Sequence, residues 1–117
     1  MHQHPNFKPD LTAQASFKDF KILAHSLKNL NGGGVVVNIG SAVILPEVFL
    51  KALSIARNVY GRIENFTTAN FDMYQHYRPT VNVVQRPTAN SGQGLNFVGH
   101  HEIMIPLLAV ALKSRIR

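Results

Sequence analysis

Four short stretches of this chain hold side chains that can do chemistry. The first is NIGSAVILPE, residues 38–47, where a β-branched run stops at Gly40 and Ser41. Glycine at such a corner lets backbone approach a ligand closely, and serine adds a hydroxyl. With a helix starting near Pro46, free N–H groups and the helix dipole would favour an anion. The plain alternative is a tight strand-to-helix turn that Ser41 caps. The stretch is neither GxGxxG nor GxxxxGK[ST].

The second is TTANFDM, residues 67–73, with Thr68, Asn70 and Asp72 where a strand should end. Next to the first strand in a parallel sheet, this segment would face the same crevice as Ser41. Asp72 would accept hydrogen bonds from ribose hydroxyls, and Asn70 would bind the same ligand. The acid of a dinucleotide site follows its glycines by about 20 residues; here the separation is larger. The alternative is that Asn70 and Asp72 cap a turn.

The third is GHHEIMIP, residues 99–106. His100 and His101 sit at an expected helix start, and imidazole is the usual general base near neutral pH. Adjacent residues on a helix do not face the same way, and there is no HExxH, so a metal site is not expected here. The fourth is YQHYRPT, residues 74–80, with His76 and Arg78. Arg78 precedes a proline, which suggests extended backbone. Its guanidinium would fork onto phosphate or carboxylate, unless the segment is only a surface loop. No Ser-His-Asp order and no carboxylate pair emerges. His2 and His4 offer imidazoles to a metal, but they lie on an unpatterned segment, residues 1–13, that reads as an N-terminal arm.

The elements that must position these groups follow from periodicity. Ser16 reads as an N-cap with Asp19 three residues on. Phe17, Phe20, Leu23, Ala24, Leu27 and Leu30 form an apolar stripe, giving a helix over 16–30 that NGGG ends. Glycines in that place cap a helix rather than cradle a phosphate. Residues 35–39 form a short, continuously apolar strand, which predicts burial on both faces. A second helix runs over 46–60, with proline in its first turn and Gly61 beyond its end. Residues 63–71 and 81–85 (VNVVQ) read as strands. Residues 86–94 read as a loop and 95–98 as a last strand. A final helix covers 101–114, with Pro106 in its first turns or at a kink. The pattern predicts an α/β fold: a small three-layer sandwich with a mainly parallel sheet, in one domain over 14–117. Sheet edges would then need cover, so a homo-oligomer is expected.

Bulk composition narrows the classes. The chain has 117 residues, 45% hydrophobic and 15% charged, which suits a folded domain. No apolar run reaches the ~18 residues of a membrane span, and the first residues lack the apolar core of a signal peptide. The absence of cysteine excludes disulfides and thiolate chemistry and fits a reducing, cytoplasmic setting. The net charge of +6 raises nucleic acid as a partner. The basic residues are scattered, however, and only KSRIR at the end is dense. An anionic small molecule is the better expectation.

The segments GGGVVVNIGSAVILPEVFLKAL, TTANFDM, YRPTVNVVQRPT and GHHEIMIPLLA together resemble the C-terminal part of an uncharacterised bacterial family. Its fold is the Rossmann-like one of the deoxyhypusine synthase and NAD/FAD-binding group. The resemblance covers residues 25–112. It implies a crevice for a nucleotide-type ligand, NAD or another nucleotide, and no catalytic residue carries over. The lysine nucleophile of deoxyhypusine synthases has no counterpart here, so that activity is not implied. Two expectations follow. One is binding of a nucleotide or phosphorylated small ligand by Gly40, Ser41, Asn70 and Arg78, with Asp72, His100 and His101 available for catalysis. The other is a non-catalytic assembly or interaction domain.

Overall fold

Pro9, not Ser16, starts the first helix. The computed structural model describes residues 3–116; His2 and Arg117, each part of a segment noted above, fall outside the described residues. Helix α1 spans Pro9–Ser26, with proline at its start and Asp10 in its first turn, both favourable at a helix N-terminus. Ser16 therefore lies inside the helix and caps nothing. Residues 9–13, expected in the arm, are its first turns. Residues 9–19 are all exposed, and Ala24 is the residue of α1 that is buried. Leu27–Leu30 follow as a 3-10 turn that buries Leu27 and Leu30. Gly34 then lies so close to the backbone of Leu30 that a Cβ there would collide with it.

Strand β1 is Val35–Ile39, helix α2 is Ile44–Tyr60 and strand β2 is Thr67–Asp72. Helix α3, Tyr77–Pro79, runs directly into a π-helical stretch, Thr80–Gln85; strand β3 is Gln93–Val98 and helix α4 is His101–Arg115. The sheet has three parallel strands in the order β1-β2-β3, with Asn38, Asn70 and Asn96 level across it. The fold is a small α/β fold, as the pattern of elements predicts.

Residues 80–85 are helical, and the expected strand VNVVQ is corrected. Local β-propensity loses to tertiary packing here. Pro79 sits in the first turn of the helix, and the Thr80 hydroxyl donates back to the His76 carbonyl (2.7 Å). Consecutive burial of Asn82 and Val83 fits a helix, not an alternating strand. Val83 plugs the core formed by Leu27, Leu30, Phe49, Ala52, Leu53, Ala56, Ile63 and Phe66. This core lies between one face of the sheet, which Val36 contributes to, and helices α1, α2 and the 80–85 segment.

The other face is different. Val35, Val37 and Ile39 point to it, and they are 41–61% exposed. The expected burial of β1 on both faces is thus overturned, because only α4 covers this side and it lies over β2 and β3. A hollow of about 260 Å³ between the sheet and α4 is lined by Phe71, Phe97, Met104, Leu107, Leu108 and Ala111. Pro106 stands inside α4 at its sixth position, where it cannot donate to the Glu102 carbonyl. Among the described residues, no helix is long and apolar enough to cross a membrane.

Candidate functional site at the carboxyl ends of the strands

In a parallel sheet all carboxyl ends lie on one side, so the Gly40 corner, Asp72 and the start of α4 share an edge. The chain leaves β2 toward the face that carries α3 and leaves the adjacent β3 toward the face that carries α4. Connections that part to opposite faces open a crevice between the strand ends.

An asparagine ladder fixes this edge. Asn38 Nδ2 donates to Asn70 Oδ1 (2.7 Å), and Asn70 Nδ2 donates to Asn96 Oδ1 (2.9 Å). Asn38 Nδ2 also donates to the Ser41 carbonyl (2.9 Å), which pins the corner to β1. Asn70 is 0% exposed with both ends of its amide engaged. It serves the sheet rather than a ligand. The buried amides of Asn38 and Asn70 and the half-buried Asn96 satisfy one another at one register level, as burial requires of polar groups.

Asp72 is the centre of the edge. It is buried, and its Oδ1 accepts the Met73 N–H (2.7 Å). His101 Nε2 lies 3.9 Å from Oδ1, and His76 Nε2 lies 3.8 Å from Oδ2. One carboxylate thus stands between two imidazoles, one from the β2–α3 loop and one from the first turn of α4. Both separations exceed hydrogen-bond length, so neither imidazole is hydrogen-bonded directly to the carboxylate. His101 Nδ1 is buried with no hydrogen-bond partner among the described residues.

Gly40 has φ +65° and lies against this ring: a Cβ on it would stand 3.3 Å from His101 Nε2. The glycine gives the imidazole room. Its N–H is not offered to a ligand, because it donates to the Phe71 carbonyl (2.9 Å) and extends the β1–β2 ladder. The Ser41 hydroxyl accepts the Leu45 N–H (3.3 Å), so the capping reading describes it. The N–H groups of Ala42, Val43 and Ile44, between Ser41 and the body of α2, make no hydrogen bond among the described residues.

The remaining candidates are placed apart. His100 is the exposed N-cap of α4; its carbonyl accepts the Ile103 and Met104 N–H groups, while its side chain does not join Asp72. Arg78 lies in helical α3, not in the extended backbone its proline neighbour suggests, and its Nε is 3.6 Å from Glu47 Oε1. The same Glu47 oxygen accepts Asn82 Nδ2 (2.8 Å), so Arg78 ties α3 to the first turn of α2. His4 accepts the Asn6 N–H on its Nδ1 in an exposed turn. Among the described residues, no group of three or more His, Asp or Glu side chains is arranged to hold a metal ion.

Sequence reasoning noted His76 but did not join it to Asp72. The four-residue spacing across a strand-to-helix turn was the available signal. The asparagine ladder was also missed, although each of the three strands carries one asparagine. Comparison with known proteins adds no family: no family model, no curated protein and no solved structure matches the chain.

Proposed function

We propose that the strand-end edge binds a nucleotide or a phosphorylated small ligand, with His101 positioned for proton transfer at a ligand hydroxyl. The observation that carries this reading is the Asp72 carboxylate held between His101 and His76 beside Gly40. A hydroxyl of a ribose or sugar would give its proton to His101 Nε2, and the nearby Asp72 carboxylate would stabilise the imidazolium that forms. The phosphate would meet the N–H groups of Ala42–Ile44, at the positive end of α2. Tyr74 and Tyr77, both largely exposed in and after the β2–α3 loop, offer flat apolar faces to a base. NAD and other nucleotides belong to this ligand class, as do sugar phosphates. The resemblance to the Rossmann-like group points the same way.

The test is a thermal-shift panel of NAD, FAD, nucleotides and sugar phosphates. Ligand at a hundred times its dissociation constant stabilises by about 2.7 kcal/mol, a rise in Tm of about 10 °C for a chain this size. Asp72→Asn and His101→Ala should remove the response while leaving the unliganded protein folded. No response to any of these ligands in the wild type would end the proposal.

A second reading, assembly, rests on the open face. Val35, Val37 and Ile39 of β1 share it with α4, whose Ile103, Leu107 and Val110 are 65–67% exposed. A helix apolar on most of its circumference is normally buried. Two copies related by a two-fold axis would lay each α4 over the β1 half of the other sheet.

A further inference from the structure

At the far end of α2, about 25 Å from the Gly40 corner at 1.5 Å per residue, a second cluster has no part in the site described above. The final turns of α1 and α2 lie side by side there. Lys28 Nζ is 3.0 Å from His25 Nε2, and His25 Nδ1 is 2.8 Å from the Tyr60 hydroxyl. Donor and acceptor roles along this chain are fixed by chemistry. An ammonium has donors only, so His25 Nε2 must accept. The neutral imidazole then carries its proton on Nδ1 and donates it to Tyr60 Oη. The Tyr60 O–H has to be given elsewhere, and the cation behind the chain polarises it. Lys28 also stands 5.6 Å from the centre of the Tyr60 ring.

This donor sits at the end of an apolar groove. The groove has a volume of about 490 Å³ and runs between α1 and α2 over Phe17, Phe20, Ala24, Ile55 and Val59. Lys21 is on its wall, with Nζ 4.3 Å from the centre of the Phe17 ring. No acidic side chain lines it. An occupant needs an apolar body to cover the aromatic and aliphatic floor. It also needs an anionic oxygen to accept from Tyr60 and sit near the Lys28 ammonium. We infer that the α1–α2 groove binds a small amphipathic carboxylate, with its alkyl or aryl body along Phe17–Val59 and its carboxylate on the Tyr60 hydroxyl. The spacing from Phe17 to His25 along α1 is about 12 Å, which suits a chain of medium length.

Calorimetric titration of the full chain with decanoate tests this, with decanol as the uncharged control. Decanoate should bind saturably and decanol at least about tenfold more weakly. Tyr60→Phe keeps the ring and removes the donor, and Lys28→Met removes the charge behind it. Each should weaken decanoate about tenfold or more, the scale of one hydrogen bond to a charged group. Both should leave decanol binding unchanged. Absence of saturable decanoate binding would overturn the inference. So would equal affinities for decanoate and decanol, or an unaltered decanoate affinity in both variants, which would mean apolar adsorption only. His101→Ala should leave decanoate binding intact, so this groove and the strand-end site can fail separately.

Discussion

Gly40 and His101 touch: the space a Cβ would take on the glycine lies 3.3 Å from the imidazole Nε2. The contact joins the first strand's exit to the first turn of the last helix, across sixty residues of sequence. Gly40 also has φ +65°, which a side chain resists. Gly40→Ala should therefore destabilise the fold by about 1–2 kcal/mol and displace His101 from Asp72. Urea unfolding gives the first quantity, and the imidazole resonances of His101 report the second. A double variant with His101→Ala should recover the steric part and not the backbone part. Additive losses would show that the contact is immaterial.

The asparagine ladder makes a sharper demand. Asn70→Ala removes one of the two acceptors of Asn38 Nδ2 and the donor to the half-buried Asn96 Oδ1, and opens a gap in the buried ladder. The expected cost is about 2–4 kcal/mol, read from the midpoint of chemical unfolding. A loss below 1 kcal/mol would mean that water replaces the amide and that the ladder does not fix the strand ends.

Thr68 shares the inner face with Asn70, and its hydroxyl is buried with no partner among the described residues. Thr68→Val exchanges that oxygen for a methyl of similar size. The variant should equal or exceed the wild type in stability, by up to about 1 kcal/mol. Clear destabilisation would reveal a hydrogen bond to bound water.

Val83 decides whether 80–85 is helix or strand. It is buried in the core, whereas Val81 and Val84 are only half buried. Val83→Ala should cost about 2–3 kcal/mol and Val81→Ala clearly less. A strand would bury residues 81 and 83 alike and give equal losses.

The open face gives a prediction about association. Val37→Lys and Leu107→Lys place charges on β1 and on α4. If two copies meet there, sedimentation should show a concentration-dependent dimer in the wild type and monomer in both variants. A monomer at all concentrations would remove the assembly reading and leave ligand binding unaffected.

Much of the architecture was legible in the residues themselves. Val35–Ile39 is a strand because β-branched side chains favour it. Helix α2 could be read from the spacing of Phe49, Ala52, Leu53 and Ala56, with Gly61 beyond its end. The alternation of helix and strand implied a parallel sheet, and a parallel sheet puts Gly40, Asp72 and His101 on one edge. These are local or periodic properties, and the chain carries them wherever it goes. Tertiary structure decided the rest, because it depends on what each segment packs against. VNVVQ became helix because Val83 fills a core that a third strand would leave open. Ser41 caps α2, and the Gly40 amide was spent on the Phe71 carbonyl. The second fact is not visible without the β1–β2 register, whereas the Ser41 bond to the Leu45 N–H is local. Asp72 acquired His101 as a neighbour through a crossing helix that no spacing rule fixes, while its four-residue spacing to His76 needed the β2–α3 turn to bring the two together. The outer face of β1 stayed open because α4 settled over β2 and β3 instead.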